Sequence, residues 1–433
     1  MQLFDVGTVL LILAAACAYL NHRFLRLPPH IGTLVLSLLA SGALIALSAA
    51  LPHAAGTQLL GRFLAEVDLP HSLLNGFLCF LLFAGTLHID LEDLLTRGWT
   101  ISAIATLGVV LSTFLIGGGM AATFAWVGIP VPLAYCLAFG ALISPTDPIV
   151  VLGMLKRIGV PSRLQAVIAG EALFNDGVGI VLFTLFIAIA RGEAGPDPGV
   201  LAVAGAFVLE TGGAIALGLA MGGIAYLLFR SIDEANIEIM LSLALVMATY
   251  SLADRLGVSG PIAVVVAGLL TGHQAVRHAM SEDTVRHLHA FWDLVDEILN
   301  AVLFLLIGLS VAAIDIDPQR AAAAAIAIPL CLAARFLSVV VIGLPLNLRE
   351  PRKGRAILLM TWAGLRGGIS VALALAIDDP AAREPLLAAC YGVVLFTMLV
   401  QGLTVGWLAR RFYGGPPASD GGGTASESAP FRG

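Results

Sequence analysis

The chain is dominated by long, continuously apolar runs. About thirteen can be marked, near residues 5–25, 30–50, 71–89, 99–127, 131–153, 163–190, 200–229, 236–253, 259–272, 292–313, 321–346, 354–377 and 384–409. A helix needs about 20 mainly apolar residues to cross the hydrocarbon of a bilayer, and most of these runs reach that length. They do not alternate at period two, which excludes a lipid-facing barrel. The expected fold is therefore an all-α polytopic membrane protein. Composition agrees: of 433 residues, 59% are hydrophobic and 12% charged, against roughly 45–50% and about 25% in a soluble domain. So apolar a chain cannot cover a water-facing surface with polar groups.

Composition narrows function as well. The five cysteines, Cys17, Cys79, Cys136, Cys331 and Cys390, stand singly in apolar runs, with neither disulfide nor zinc spacing. No basic face for nucleic acid appears, and no cofactor is implied. The first apolar run lacks a signal-peptide start and is expected to remain as a helix. Arginine and lysine set the orientation. Lys156, Arg157, Arg163, Arg230, Arg286, Arg355, Arg410 and Arg411 fall on one side, while the other holds Arg62, Arg191, Arg255, Arg320 and Arg383. This bias predicts an inner-membrane protein with the N-terminus outside and the C-terminus in the cytoplasm. Residues 414–433, rich in Gly, Pro and Ser, are expected to be a disordered cytoplasmic tail without a regulatory domain. An odd number of crossings, with a central helix near 200–229, requires two six-helix halves to be inverted relative to one another.

Ser144-Pro145-Thr146-Asp147-Pro148 lies in the fifth run. Two prolines three apart remove backbone donors and break a helix, and freed backbone groups at mid-membrane need polar partners. Thr146 and Asp147 are placed to supply them or to bind an ion; a proline kink with a capped Asp is the plainer alternative. In the sixth run, Glu171 shares a helix face with Asn175, while Asp176 faces elsewhere, so the two acids should have separate tasks. Arg335, in the eleventh run, stays charged and requires an acid. Glu171 is its expected partner in a structural ion pair, with Asp176 and Asp147 as alternatives. In the twelfth run, Gly364-Leu365-Arg366-Gly367-Gly368 loosens the helix and is the natural counterpart of the break at 145–148. Two unwound helices crossing at the midplane, spans 5 and 12, would let Asp147 and Arg366 offset the half-helix termini; the alternative is an Arg366 that reaches the membrane interface.

Taken in order, Phe139–Pro148, Gly170–Gly179, Val258–Gly268 and Gly364–Ile369 resemble the monovalent cation/proton antiporter family that includes bacterial NhaP proteins and animal sodium/hydrogen exchangers. The resemblance implies a homodimer and an elevator-like alternation of access between a core domain (about 99–190 and 321–409) and a dimerisation domain (about 5–89 and 200–313). It implies that Asp176 is the site shared by ion and proton, with Thr146 and Asp147 beside it, and that the Asn175-Asp176 pair accompanies electroneutral exchange. Two departures stand out: Ala172 occupies a position where the family often has serine, and Leu82-Phe83-Ala84-Gly85 lacks a glutamate that some members carry.

The expected activity is exchange of Na+, with Li+ or K+ as alternatives, for H+ by competition at Asp176, without a cofactor. A passive channel and an intramembrane protease built on Gly257-Val258-Ser259-Gly260 are the rival readings. Ser259 is better explained as the cap of a helix opened by Pro261. His273, His278, His287 and His289 form a loop cluster that would sense pH or simply be solvated. The GxxxG at Gly218 and Gly222 is a packing motif without an assigned partner.

Overall fold

The computed structural model describes residues 3–50, 77–87, 98–147, 149–193, 200–275, 280–311, 317–343 and 353–414. These are helical almost throughout: α1 (Leu3–Leu20), α2 (Pro29–Ala50), α3 (Leu78–Leu87), α4 (Gly98–Val127), α5 (Leu133–Ile143), α6 (Ile149–Ile158), α7 (Ser162–Ala190), α8 (Val200–Phe229), α9 (Ala235–Leu256), α10 (Gly260–Leu270), α11 (Glu282–Ser310), α12 (Pro318–Gly343), α13 (Lys353–Trp362), α14 (Gly368–Leu375) and α15 (Pro380–Tyr413). Among the described residues, seven helices are both long and apolar enough to cross a bilayer; α3 and α5 are shorter apolar helices of 10 and 11 residues. Length and hydropathy alone therefore do not fix thirteen crossings. Pro148, His278 and the tail beyond Gly414 lie outside the described residues.

Lipid is the solvent that explains the surface. Large apolar side chains such as Leu209, Leu227, Met240 and Met247 are exposed, as they are when acyl chains cover them. Trp99 and Trp126, both exposed, stand near the two ends of α4. The 27 residue steps from one to the other rise about 40 Å, the thickness of a bilayer with its headgroup regions. Indole rings at that spacing suit the two interfaces.

Packing joins α4 to α5 and α12, α5 to α7, and α12 to α13 and α15; separately it joins α2 to α11, α3 to α10 and α11, and α8 to α9 and α10. The Gly218/Gly222 motif serves this second set. A side chain at Gly218 would meet Val266, and one at Gly222 would meet Ala267 and Leu270, so the motif lets α8 approach α10 closely. Ser259 does precede α10, with Pro261 in its first turn, but its hydroxyl makes no capping bond and is buried without a partner. Ser259 thus marks the boundary by position alone. Ion pairs of Arg191 with Asp378 and of Arg320 with Glu384 tie α7, α12, α14 and α15 together at one end of the molecule.

Close packing at the helix break can be tested. Gly179 in α7 lies against the Pro145 ring, and a methyl group there would also come within 3.1 Å of the Ala141 carbonyl oxygen. Gly179→Ala is expected to destabilise the protein by about 1–3 kcal/mol, as overpacking does. Gly118→Ala, with nothing within 4 Å of the added carbon, is expected to be neutral or stabilising. Thermal midpoints in detergent distinguish the two.

Candidate ion site at the helix crossing

α5 ends at Ile143 and α6 begins at Ile149, while α13 ends at Trp362 and α14 begins at Gly368. The two non-helical connections run past each other in opposite directions, and the Asp147 N–H donates to the Leu365 carbonyl at 2.9 Å. Each break thus satisfies part of the backbone that the other frees, which is the condition for irregular backbone at membrane depth.

Side chains satisfy more of it. Arg366, 2% exposed, donates from Nη1 to the carbonyls of Ser144 and Pro145, the latter at 2.6 Å. Its charge therefore sits at the C-terminal, negative end of α5, instead of reaching the membrane interface. The Ser370 hydroxyl donates to the Leu142 carbonyl at 2.7 Å. Gly367 is required because a side chain there would strike the Asp147 carboxylate, with Cγ at 3.2 Å. That carboxylate accordingly lies at the N-terminal, positive end of α14. Asp147 and Arg366 thus answer opposite helix termini.

α7 carries the two further acids on different faces. Glu171 is bound by both terminal nitrogens of Arg335, with Nη2 at 3.0 Å from Oε2, and both side chains are buried. Two nitrogens thus meet two oxygens, the bidentate arrangement that charge-assisted Arg–carboxylate pairs favour. Asp176 points the other way. It is 8% exposed, and no hydrogen bond or ion pair to its side chain occurs among the described residues. It lines a cavity of about 610 Å³ together with Asp147, Ala172, Lys156, Gln165, Leu82 and Gly85. The cavity lies between the two sets of packed helices and extends to the α6–α7 connection. Ala172 and Gly85 leave apolar wall where a hydroxyl or a carboxylate would have been an extra ligand.

Thr146 and Asn175 sit behind this wall. Asn175 Nδ2 donates to Thr146 Oγ1 at 3.0 Å, and neither residue is part of the lining. Asn175 Oδ1 is buried without a partner. Of the expected ion-site residues, the structure therefore brings Asp147 and Asp176 to the cavity and holds Thr146 and Asn175 one layer back.

These elements are matched in known proteins. The sodium/hydrogen exchanger transmembrane domain model matches residues 10–411. The chain belongs to that family. The Na+/H+ antiporter NhaP of Pseudomonas aeruginosa is 42% identical over 420 residues, covering 96% of this chain and 98% of the relative. The Na+/H+ antiporter NhaH of Halobacillus dabanensis is 35% identical over 346 residues, 78% of this chain and 83% of the relative. The sodium proton antiporter MjNhaP1 of Methanocaldococcus jannaschii shares the fold, with a TM-score of 0.72 at 18% identity, covering 96% of this chain and all of that one. The family is one of membrane transporters, not enzymes.

Sequence reasoning missed Asp293, Asp296 and Asn300. All three line the same cavity from α11, and Asn300 Nδ2 donates to Asp296 Oδ1 at 3.1 Å. Their spacing of three and four places them on one helix face, a signal that was available. Of the four histidines, His278 lies outside the described residues, His287 Nδ1 lies 2.8 Å from the Asp283 carbonyl oxygen, and His289 Nε2 lies 3.4 Å from that of Leu87.

The separation of roles between the two acids of α7 is measurable. Glu171→Gln leaves the Arg335 charge without its counter-ion, a loss of about 3–5 kcal/mol for a buried pair. The variant should show a markedly lower thermal midpoint while still binding cation, as read by isothermal titration. Lost binding at an unchanged midpoint would reverse the roles of Glu171 and Asp176.

Proposed function

We propose that this protein exchanges Na+ for H+ across the bacterial plasma membrane, with Asp176 holding either the ion or the proton. The supporting observation is a deeply buried carboxylate, without a hydrogen bond among the described residues, that opens onto a cavity large enough for water and a hydrated cation. A structural carboxylate at this depth would be expected to have a donor, as Glu171 does; a carboxylate that must release its cargo gains from having none. Sodium, a hard cation, prefers oxygen ligands and binds only the ionised form, so proton and metal compete for one group.

Asp147 supplies a second carboxylate at the cavity wall. Thr146 and Asn175 complete the shell if the pair turns toward the ion. Water fills the positions that Ala172 and Gly85 leave without protein oxygen, so the site should discriminate weakly among Na+, Li+ and K+. The positive-inside bias assigns the α6–α7 end to the cytoplasm, which makes this the inward-open conformation. On this reading, α4–α7 with α12–α15 form the moving core, α1–α3 with α8–α11 form the dimerisation scaffold, and the cavity between them closes when the core slides. One charge leaves as one enters, so the exchange is electroneutral. This distinguishes it from a channel.

The test uses proteoliposomes carrying a pH-sensitive dye. Asp176→Asn should insert and fold but lose sodium-driven proton flux. In the unmodified protein, the apparent KM for Na+ should rise as pH falls, approaching about tenfold per pH unit where the carboxyl is mostly protonated, as one-for-one competition requires. Flux should not respond to an imposed membrane potential. Substantial coupled flux in Asp176→Asn, or an apparent KM independent of pH, refutes the proposal.

A further inference from the structure

On the side of the crossing away from the ion cavity, α15 departs from regular geometry over Thr397–Gln401, where the turn widens to π-helical hydrogen bonding. Such turns add one residue to a helical repeat, re-aim side chains, and frequently occur at functional positions. Here the widened turn faces the break between α13 and α14. The Thr397 hydroxyl accepts from the Arg366 backbone N–H at 3.2 Å, and Gln401 Nε2 donates to the Trp362 carbonyl at 3.1 Å. One five-residue turn therefore holds the unwound segment at both ends.

Two buried atoms beside it have no hydrogen-bond partner among the described residues: Gln401 Oε1 and Arg335 Nε. One is an acceptor and the other an N–H donor. Both residues line a small cavity of about 10 Å³, which Thr361, Gly364, Arg366 and Thr397 help to enclose. A site needs roughly 10–15 Å³ and two or more polar partners to hold a water. The cavity meets the polar requirement and stands at the threshold of size. In a low-dielectric interior an unmade bond at each atom is costly, and one molecule can satisfy both.

We propose that a single buried water accepts from Arg335 Nε and donates to Gln401 Oε1, making Gln401 a positioning residue for Arg335. The consequence reaches the ion site. A methyl group at Gly364 would lie 3.0 Å from Arg335 Nε and 3.2 Å from Thr146 Cγ2, so the guanidinium and Thr146 meet across this one glycine. Fixed by Glu171 at its terminal nitrogens and by water at Nε, Arg335 cannot swing toward Thr146 and Asp147, where its charge would oppose an arriving cation. This transport consequence rests on the proposed role of Asp176 and Asp147; the water does not.

Two measurements keep those claims distinct. A map of the unmodified protein at a resolution that shows ordered water should contain a peak within hydrogen-bond reach of Gln401 Oε1 and Arg335 Nε. Absence of a peak where both side chains are well resolved overturns the water, whatever Asp176 does. Gln401→Met preserves the volume and removes both the Oε1 acceptor and the Nε2 donation to Trp362. It should raise the apparent KM for Na+ by about 2- to 10-fold, the ratio that one lost hydrogen bond, that to the water, sets, with maximal flux little changed. Gln401→Glu keeps an acceptor and removes only the donation to Trp362, and should leave the apparent KM near that of the unmodified protein. A lower thermal midpoint at an unchanged KM in Gln401→Met would make Gln401 merely structural and overturn the positioning role.

Discussion

Backbone that leaves its helix inside a membrane must be satisfied by the protein itself, and this requirement governs the centre of the molecule. Breaking α5 from α6 and α13 from α14 frees N–H and C=O groups where lipid offers no hydrogen bond. The protein meets the demand by running the two broken segments against each other, so that Asp147 donates its amide to Leu365. Arg366 then covers the carbonyls of Ser144 and Pro145, and Ser370 covers that of Leu142. The glycines follow from the closeness of this crossing. A side chain at 367 would displace the Asp147 carboxylate, and one at 179 would displace Pro145.

The break also makes a cation site attainable. A continuous helix presents its carbonyls along its own axis, already bonded, and offers an ion only side chains. Unwinding creates helix termini with uncancelled partial charges, to which ionisable residues are drawn. Arg366 takes the negative terminus and Asp147 lies at a positive one, so both are anchored by backbone electrostatics. Asp176 has no such anchor, because it sits within the uninterrupted α7. Its carboxylate is left to whatever enters the cavity.

Much of this was legible in the residues. Helical phase alone separated Glu171 from Asp176, because five positions on a helix turn a side chain well away from its neighbour. Burial of a permanent charge demanded an acid for Arg335, and Glu171 is the acid it meets. Pro145 and the glycines at 364, 367 and 368 marked the breaks. That Arg366 would answer a half-helix terminus was legible, but which carbonyls it binds was not, because they are more than two hundred residues away and are set by the crossing angle. The widened turn at Thr397–Gln401 was also hidden, since Thr-Met-Leu-Val-Gln reads as ordinary helix. Asp293 and Asp296 stand in the polar N-terminal half of α11, where acids at helical spacing read equally well as a solvated face. Which half of that helix borders a cavity is a tertiary fact.

Charge at the crossing has a consequence for the proposed exchange. Three carboxylates, Asp147, Glu171 and Asp176, stand against two guanidinium groups, Arg335 and Arg366. Glu171 and Arg335 cancel as a fork-shaped pair, and Asp147 and Arg366 are each balanced further by helix termini. Among these five groups a single negative charge remains, on Asp176, while Lys156, Asp293 and Asp296 line the same cavity. If Asp176 is the carrier site as proposed, a bound sodium ion or proton would neutralise that charge, and either loaded form would cross a low-dielectric barrier at a much smaller Born cost than the bare carboxylate. The unloaded form would then be the one disfavoured from moving. On the proposed exchange, coupling would need no separate gate, because the desolvation penalty on one charge would oppose the empty transit that lets the two gradients leak.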